Sequence, residues 1–206
     1  MLLLDIGNTN IKIFDGKNSK RVEAKKENLP SSEFCYINVN PNLENVLKNH
    51  KFAIDLKPFF HFQTNYRGIG IDRVAACYSI ETGVVVDAGS AITVDIMDHN
   101  LHKGGFILPG IRSYKDSFAN ISSRLIYDLE SEISLTGLPQ NTNDALLYAT
   151  MKSIVCMIEI HAADKQVYLT GGDGRRLSYY LKEAVFEEDL VFKGMQKVIK
   201  EMGLSC

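Results

Sequence analysis

Apolar residues alternate with short polar turns in a pattern that occurs twice along this chain. The first copy begins at Leu2 and the second at Val84. In each, an apolar run is followed by an acidic residue, Asp5 or Asp87, by a glycine two residues later and by a second apolar run. Such runs are typical of buried strands. A turn and a third β-like run follow in both copies, so the pattern predicts two three-strand meanders and indicates an internal duplication.

The remaining pattern alternates strands with helices, as in α/β proteins. Strands are predicted at Phe34–Asn38, Phe52–Leu56, Phe59–Gln63 and Gln166–Thr170, and helices at Pro41–His50, Asp72–Ile80, Ile111–Ala119, Asn141–Ile160, Arg175–Lys182 and Leu190–Met202. In the longest helix, apolar and small residues recur at helical spacing. They are Leu146, Ala149, Ser153, Met157 and Ile160.

The turn after the first strand of each copy carries a glycine, Gly7 or Gly89. A glycine allows backbone N–H groups to approach a ligand closely, and a nearby carboxylate can hold a metal ion or its waters. Two such turns suit a nucleotide triphosphate with its cation. Alternatively, Asp-Gly and Gly-Asn dipeptides only close hairpins. The duplication favours the first interpretation.

Three further stretches place polar groups or glycines at predicted helix starts. Asp72 follows a Gly-x-Gly loop, where it is either a first-turn carboxylate favoured by the helix dipole or an acceptor for a substrate proton. Thr142 is either a helix cap or a ligand contact. Gly171-Gly172 joins a strand to a helix, a junction at which a phosphorylated ligand can lie against the backbone. The residues alone leave these alternatives open.

Composition excludes several classes of protein. The net charge of −2 and the pI near 6.2 argue against a nucleic-acid binder, which is expected to carry a basic face. No signal peptide is indicated, and no unbroken apolar run has the length of a membrane span. The cysteines stand singly, which fits a reducing compartment. They are Cys35, Cys77, Cys156 and Cys206. We therefore expect a cytoplasmic protein without nucleic-acid or membrane partners.

Several of these motifs occur together in an order that resembles the type III pantothenate kinases, members of the superfamily of acetate kinase, actin and the heat-shock chaperones. The resemblance covers most of the chain and is carried most specifically by Gly-x-Asp-Arg. The motifs are Asp5-Ile6-Gly7-Asn8-Thr9 with Lys12, Gly70-Ile71-Asp72-Arg73, Asp87-Ala88-Gly89-Ser90-Ala91 with Thr93 and Asp95, Gly104-Gly105, Pro109-Gly110, Asn141-Thr142 and Thr170-Gly171-Gly172.

The resemblance implies an α/β fold of two ribonuclease H-like (actin-like ATPase) domains, residues 1–80 and 81–206. Each domain would be a mixed sheet that starts with the three-strand meander and carries flanking helices. The implied activity is ATP-dependent phosphorylation of pantothenate, the first step of coenzyme A synthesis. The implied cofactors are Mg²⁺ with ATP and a monovalent cation, K⁺ or NH₄⁺. Homodimers are expected as well.

The resemblance also implies roles for individual residues. Asp72 would be the general base, Asp5 would lie near magnesium and Asp87 would bind the monovalent cation. The pantothenate site would comprise Tyr66, Gly70, Ile71, Asp72, Arg73 and Thr142. The ATP site would comprise Asp5, Ile6, Gly7, Asn8, Thr9, Asn10, Ile11, Lys12, Gly89, Ser90, Gly171 and Gly172. The alternative to a kinase is a non-catalytic scaffold or regulatory protein of the same superfamily.

Overall fold

The computed structural model describes residues 1–203, and the chain divides into two compact units. The first unit comprises residues 1–81, residues 100–102 and the residues from Asp189 onward; the second comprises residues 82–99 and 103–188. The expected division into domains of residues 1–80 and 81–206 stays a prediction. The units group the last helix with the first part of the chain, which the sequence did not suggest.

The first unit is built on a five-stranded sheet with the order β3-β2-β1-β4-β5. Strands β1 to β3 form an antiparallel meander, whereas β4 pairs in parallel with β1 and β5 in parallel with β4. Its core contains the apolar residues of β1, β2 and β4, which are almost completely buried. The elements are β1 (Leu2–Ile6), β2 (Asn10–Phe14), β3 (Ser19–Glu23), β4 (Phe34–Asn38), α1 (Glu44–Lys48), β5 (Ala53–Asp55), β6 (Gln63–Thr64), α2 (Ile71–Tyr78) and, after the second unit, α6 (Leu190–Glu201).

The second unit contains the strand order β11-β10-β7-β8-β9. Strands β7 and β8 are antiparallel, and β10 and β11 add to β7 in parallel. Helix α4 packs its buried face on this sheet. The elements are β7 (Gly83–Ala88), β8 (Ala91–Asp98), β9 (Leu101–Pro109, whose first two residues belong to the first unit), α3 (Ile111–Ile121), α4 (Thr142–Ala162), β10 (Val167–Thr170), α5 (Gly174–Ser178) and β11 (Val185–Phe186).

Five strands of each sheet have the same topology, and the second sheet adds β6 beside β9, where Gln63–Thr64 pair in parallel with Leu101 and His102. In each, a three-strand meander begins at a central strand, and the next two strands of the unit are added on the other side of that strand. Asp5 in β1 and Asp87 in β7 are each the second-last residue of the central strand. Asp5 pairs with Lys12 and Asp87 with Thr93 on the next strand of the meander. The predicted duplication is therefore visible in the strand order.

Some predicted elements differ from the structure for local reasons. Phe59–Gln63 is not a continuous strand, because Pro58 lies in a 3₁₀ helix over Lys57–Phe59, and only Gln63–Thr64 is extended. Proline fixes its own φ near the helical value and lacks the N–H that a strand needs. The helix predicted at Arg175–Lys182 ends at Ser178.

The long helix α4 is present, but the side it buries is not the one that the predicted spacing marks. Of that set only Leu146 is buried, whereas Ile160 is 70% exposed. The buried side comprises Leu146, Leu147, Thr150, Met151, Ile154, Val155, Ile158 and Ala162. Apolar residues occur around the whole helix, so periodicity alone cannot select the buried face. By length and composition α4 also meets the requirement for a membrane span, a test that core helices of soluble proteins pass too.

Helices α2 and α6 approach closely because Gly194 has no side chain. A Cβ atom at this position would collide with the backbone carbonyl of Ala75. On the same helix, Phe192 stacks on Phe14 with ring centroids 5.1 Å apart. These contacts explain why α6 groups with the first unit.

Replacing Gly194 with alanine is expected to destabilise the protein, although alanine is the better helix former. The helices would have to separate, and overpacking of this kind typically costs about 1–3 kcal/mol. Thermal unfolding measures the effect, with Gly137→Ala as the control, because no atom lies within 4 Å of a Cβ at Gly137. An unchanged or higher melting temperature for Gly194→Ala would contradict the described packing.

Candidate active site

The glycine turn between β1 and β2 keeps its carbonyl groups inside the first unit. The Nδ2 group of Asn40 donates to the carbonyls of Gly7 at 3.2 Å and Asn8 at 3.3 Å, and the backbone N–H of Ala24 donates to the carbonyl of Thr9 at 2.9 Å. Asn8 and Thr9 are exposed, and among residues 1–203 no acceptor is present for their N–H groups. The turn therefore presents two amide donors to solvent, an arrangement suited to an anion.

A carboxylate and an ammonium group lie beside this turn. The Asp5 side chain is largely buried, and its Oδ2 lies 3.9 Å from Nζ of Lys12 on the paired strand. One carboxylate next to outward amides fits Mg²⁺, which usually binds one or two carboxylates and otherwise keeps waters and substrate phosphates. In residues 1–203 no three His, Cys, Asp or Glu side chains form a complete metal cluster.

Helix α2 begins close to the same turn. Gly70 is the residue before its first turn, and a Cβ there would lie 3.9 Å from Cγ1 of Val39, whose N–H donates to the Ile6 carbonyl at 3.0 Å. Val39 is thus bonded to the end of β1 and lies close to the start of α2. The sequence motifs around Gly7 and Gly70 are brought together at this edge of the first sheet.

Asp72 is the second residue of α2 and does not cap it from the preceding position. Its Oδ1 accepts the N–H of Arg73 at 2.9 Å, and a Cβ at Gly70 would collide with that oxygen. The glycine therefore leaves room for the carboxylate at the helix start, where the helix dipole favours its negative charge. The bond between the Asp72 carboxylate and the Arg73 N–H is compatible with both alternatives for Asp72, a carboxylate that stabilises the helix start and an acceptor for a substrate proton.

Arg73 is buried beside Tyr66. Its guanidinium lies 4.8 Å from the centre of the Tyr66 ring, and Nη1 lies 3.3 Å from the tyrosine hydroxyl. The loop that carries Tyr66 is held in turn by Thr64, whose Oγ1 accepts the Tyr66 N–H at 2.9 Å and contacts Nδ1 of His102 at 2.7 Å. A positive charge next to an aromatic ring is thus fixed near Asp72.

In the second unit, Gly171 makes a close contact with the end of β7. It adopts a φ of +86°, and a Cβ would collide with Oδ1 of Asp87 and lie 2.5 Å from the Ala88 carbonyl. The N–H of Asp173 donates to the same carbonyl at 2.9 Å. Only glycine fits this backbone conformation and contact without strain. Asp87, Gly171 and Gly172 therefore lie at one edge of the second sheet.

The second glycine turn is shorter than the first and is held differently. Three residues separate the last paired positions, Ala88 and Ile92, whereas four separate Ile6 and Ile11 in the first copy. The carbonyl of Ser90 accepts the N–H of Gly110, the residue before α3, at 3.2 Å. A Cβ at Gly110 would lie 2.5 Å from the carbonyls of both Gly89 and Ser90. The start of α3 therefore supports this turn.

A cavity of about 780 Å³ adjoins the Gly171-Gly172 turn. One wall is the loop over residues 130–134 and the other runs from Gly172 to Tyr180. Nη2 of Arg176 donates to the Ser131 carbonyl at 3.1 Å, which joins the two walls. The loop is anchored further back by Tyr127, whose buried hydroxyl lies 2.9 Å from Oγ1 of Thr150 on α4. The volume is within the range of small-ligand pockets.

Thr142 is the first residue of α4 and is not its cap. Asn141 occupies the cap position, where its Oδ1 accepts the Asp144 N–H at 3.0 Å and its Nδ2 donates to the Asp144 carboxylate at 2.6 Å. The Thr142 side chain is exposed. This removes the capping interpretation of Thr142, and no contact in the described part of the chain joins it to Asp87 or Gly171.

Comparison with known proteins bears on the family of this chain. A sequence model of the type III pantothenate kinases matches residues 46–164. The type III pantothenate kinase of Campylobacter jejuni is 48% identical over 203 residues, which span 98% of this chain and 97% of that protein. The chain belongs to the type III pantothenate kinase family. The resemblance seen in the motifs is thereby confirmed.

Solved structures extend the comparison to the fold. A Campylobacter jejuni protein described as a Baf family transcriptional activator has a TM-score of 0.92 and 47% identity, covering 98% of this chain and 99% of that one. A protein of Sinorhizobium meliloti described as a 2-dehydro-3-deoxygalactonokinase has a TM-score of 0.60 at 9% identity, covering 100% of this chain and 97% of that one. The expected fold class of actin-like ATPases is confirmed.

Two residues near the pantothenate kinase motifs were not identified from the sequence. Asn40 contacts the first turn from 32 or 33 positions away, and Arg176 holds a loop 45 positions distant. The only sequence signal at Asn40 is that it precedes Pro41 at a predicted helix start, which is typical of a cap. That signal gives no indication of the long-range contact.

Asp173 lines the cavity beside Gly171-Gly172, and the pKa of its carboxyl leads to a prediction about stability and pH. Burial raises the pKa of its carboxyl above the ordinary 3.8, opposed by the positive charges of Arg176 and Arg112. When folding raises the pKa of an acid, its stabilising contribution is complete below the unfolded pKa and is lost as pH rises through the folded pKa. At pH 7 the buried charge then makes the carboxylate less favourable in the folded state than a neutral side chain. Replacing Asp173 with asparagine should therefore raise the melting temperature at pH 7, with a gain that shrinks as pH falls towards 4.

The matched control for this prediction is Asp164→Asn, which removes an exposed carboxylate from the same unit. Its melting temperature should follow that of the wild type across the pH range. A lower melting temperature for Asp173→Asn at pH 7 would show that the carboxylate is stabilising in its charged form.

Proposed function

We propose that this protein transfers the γ-phosphoryl group of ATP to the terminal hydroxyl of pantothenate, the first step of coenzyme A synthesis. Family membership supports the reaction and its two substrates. The observation that carries the proposal is that Val39, bonded to the end of β1 just before the amide-presenting turn, lies close to the Gly70 start of the helix that bears Asp72. Phosphoryl transfer mainly requires positioning of the phosphates and orientation of the attacking oxygen.

ATP is assigned to both glycine turns and to the cavity of the second unit. The outward N–H groups of Asn8 and Thr9 support a phosphate role for the Asp5–Lys12 segment. Gly89 and Ser90 have the equivalent place in the second copy, and the 780 Å³ cavity beside Gly171-Gly172 suits adenosine. Asp5 would hold Mg²⁺, which neutralises phosphate charge when bound. Lys12 adds a positive charge near the same phosphates.

Pantothenate is assigned to Tyr66, the Gly70–Arg73 segment and Thr142. Arg73 supplies a buried guanidinium, which suits a substrate that carries a carboxylate. Asp72 is the proposed general base: its carboxylate accepts the hydroxyl proton as the substrate oxygen attacks the γ-phosphorus, and ADP leaves. The Arg73 N–H fixes one carboxylate oxygen for this role.

Asp87 is the proposed ligand of a monovalent cation, K⁺ or NH₄⁺. Its Oδ1 packs against Gly171, next to the carbonyl of Ala88, so carboxylate and carbonyl oxygens occur together at this edge. Oxygen donors are the ligands that hard cations prefer. Such a cation would offset the negative charge that Asp87 presents to a nucleotide.

The protein is further proposed to be a cytoplasmic homodimer without nucleic-acid or membrane partners. The outward face of α4 supports dimerisation. Ile160 is 70% exposed there, and Ala149 and Ser153 are exposed residues with small side chains that would allow a partner helix to approach closely. The net charge of −2 argues against a nucleic-acid partner. It therefore gives no support to a role as a transcriptional activator, the description that the Campylobacter jejuni structure carries.

Replacing Asp72 with asparagine should lower pantothenate-dependent ADP release by about a hundredfold or more, since this is a typical contribution of a general base. The assay measures ADP release from MgATP with and without pantothenate. The control Glu33→Gln neutralises an exposed carboxylate and should leave the rate unchanged. Full activity of Asp72→Asn would restrict Asp72 to stabilising the helix start. No pantothenate-dependent release from folded wild-type protein would favour the regulatory alternative.

Replacing Asp87 with alanine should remove the dependence on monovalent cations together with most of the activity. The measurement compares initial rates in potassium, ammonium and sodium salts at constant ionic strength. Asp164→Asn again serves as the control and should retain the wild-type cation response. Ordinary potassium activation in Asp87→Ala would exclude Asp87 as the cation ligand.

A further inference from the structure

Asn40 joins the first glycine turn to the end of β4 through a buried side chain. It is 2% exposed, and its Nδ2 group donates to two consecutive carbonyls, those of Gly7 and Asn8. Its Oδ1 accepts the backbone N–H of Asn42 at 2.9 Å. Because Oδ1 must face that donor, the orientation of the amide is fixed and Nδ2 must face the turn.

The two carbonyls that Asn40 holds determine the direction of the two exposed N–H groups. A peptide unit is planar, and in the trans form its C=O and N–H bonds point in opposite directions. The Gly7 carbonyl shares a peptide plane with the Asn8 N–H, and the Asn8 carbonyl shares one with the Thr9 N–H. No cis peptide bond occurs in the described chain. Drawing both carbonyls inward therefore turns both N–H groups outward.

A second set of bonds keeps Asn40 itself in place. Its backbone N–H donates to Oδ1 of Asn38 at 3.0 Å, and its carbonyl accepts Nδ2 of Asn38 at the same distance. Pro41 follows as the first residue of a 3₁₀ helix for which Asn40 is the cap. The side chain thus has little freedom to leave the turn.

We propose that Asn40 is a positioning residue for the nucleotide phosphates, acting through the peptide planes of the Gly7-Asn8-Thr9 turn. This inference rests on the proposed role of that turn in binding ATP. Without the Nδ2 donor the two peptide units can rotate, and carbonyl oxygens can then face the phosphates, which they repel. The geometry predicts a loss of phosphate binding while the adenosine contacts in the second unit are retained.

Two substitutions separate this role from the capping role of the same side chain. Asn40→Asp keeps an oxygen that accepts the Asn42 N–H but removes the Nδ2 donor. Asn40→Ser also retains capping ability, adds no charge and is too short to reach both carbonyls. The control is Asn42→Ala, which removes an exposed side chain from the same 3₁₀ helix.

Calorimetric titrations with MgATP and with adenosine test the proposal on all four proteins. In both Asn40 variants the Kd for MgATP should rise about tenfold. The N–H groups of Asn8 and Thr9 would lose their bonds to the phosphates, and each such hydrogen bond typically contributes a few-fold to affinity. The Kd for adenosine should change by less than about twofold, and Asn42→Ala should bind both ligands as the wild type does. The KM for MgATP should rise by the same factor, while the KM for pantothenate at saturating MgATP stays unchanged.

An unchanged Kd for MgATP in the two Asn40 variants would overturn the proposal. A parallel loss of adenosine and MgATP affinity would do so as well, since it would reveal a general structural role. Failure of the proposed function is a separate result, recognised by the absence of pantothenate-dependent ADP release in the wild type. Wild-type turnover with unchanged MgATP affinity in the variants would reject only the role of Asn40.

Discussion

The outward amide groups of the turn between β1 and β2 depend on the inward orientation of its carbonyl groups. Asn40 and the N–H of Ala24 occupy three successive carbonyls, and the N–H groups of Asn8 and Thr9 are left facing solvent. A turn with free carbonyls would repel phosphate. With its carbonyls occupied, this short uncharged segment has outward amide donors that suit an anion, and in the proposed site the neighbouring Asp5 and Lys12 would adjust its charge.

The duplicated sheets reach similar turns by different contacts. In the first unit a side-chain amide holds the turn, whereas in the second the start of α3 contacts it through Gly110, and Gly171 packs against Asp87. The two copies therefore share a strand order but hold their turns by different contacts. The backbone contacts of Gly110 and Gly171 leave no room for a side chain, so these glycines are structural requirements of the second copy.

Much of the fold could be predicted because it follows from local patterns. The apolar runs gave the central strands, and the Asn141 cap signal gave the start of α4. The buried face of α4 could not be predicted, since apolar residues surround that helix and only its neighbours decide which are covered. The position of α6 depends on Gly194 fitting against Ala75, a contact between distant parts of the chain.

The candidate site was predictable to a similar extent. The glycine turns and Asp72 stand in recognisable motifs, but Asn40 has no local pattern that predicts a contact with Gly7. The most direct measurement is a titration of ¹⁵N-labelled protein with MgATP, followed through the amide resonances of Asn8 and Thr9. We expect both resonances to shift strongly and to saturate with the nucleotide. Unchanged Asn8 and Thr9 resonances at saturating MgATP would contradict the role of this turn.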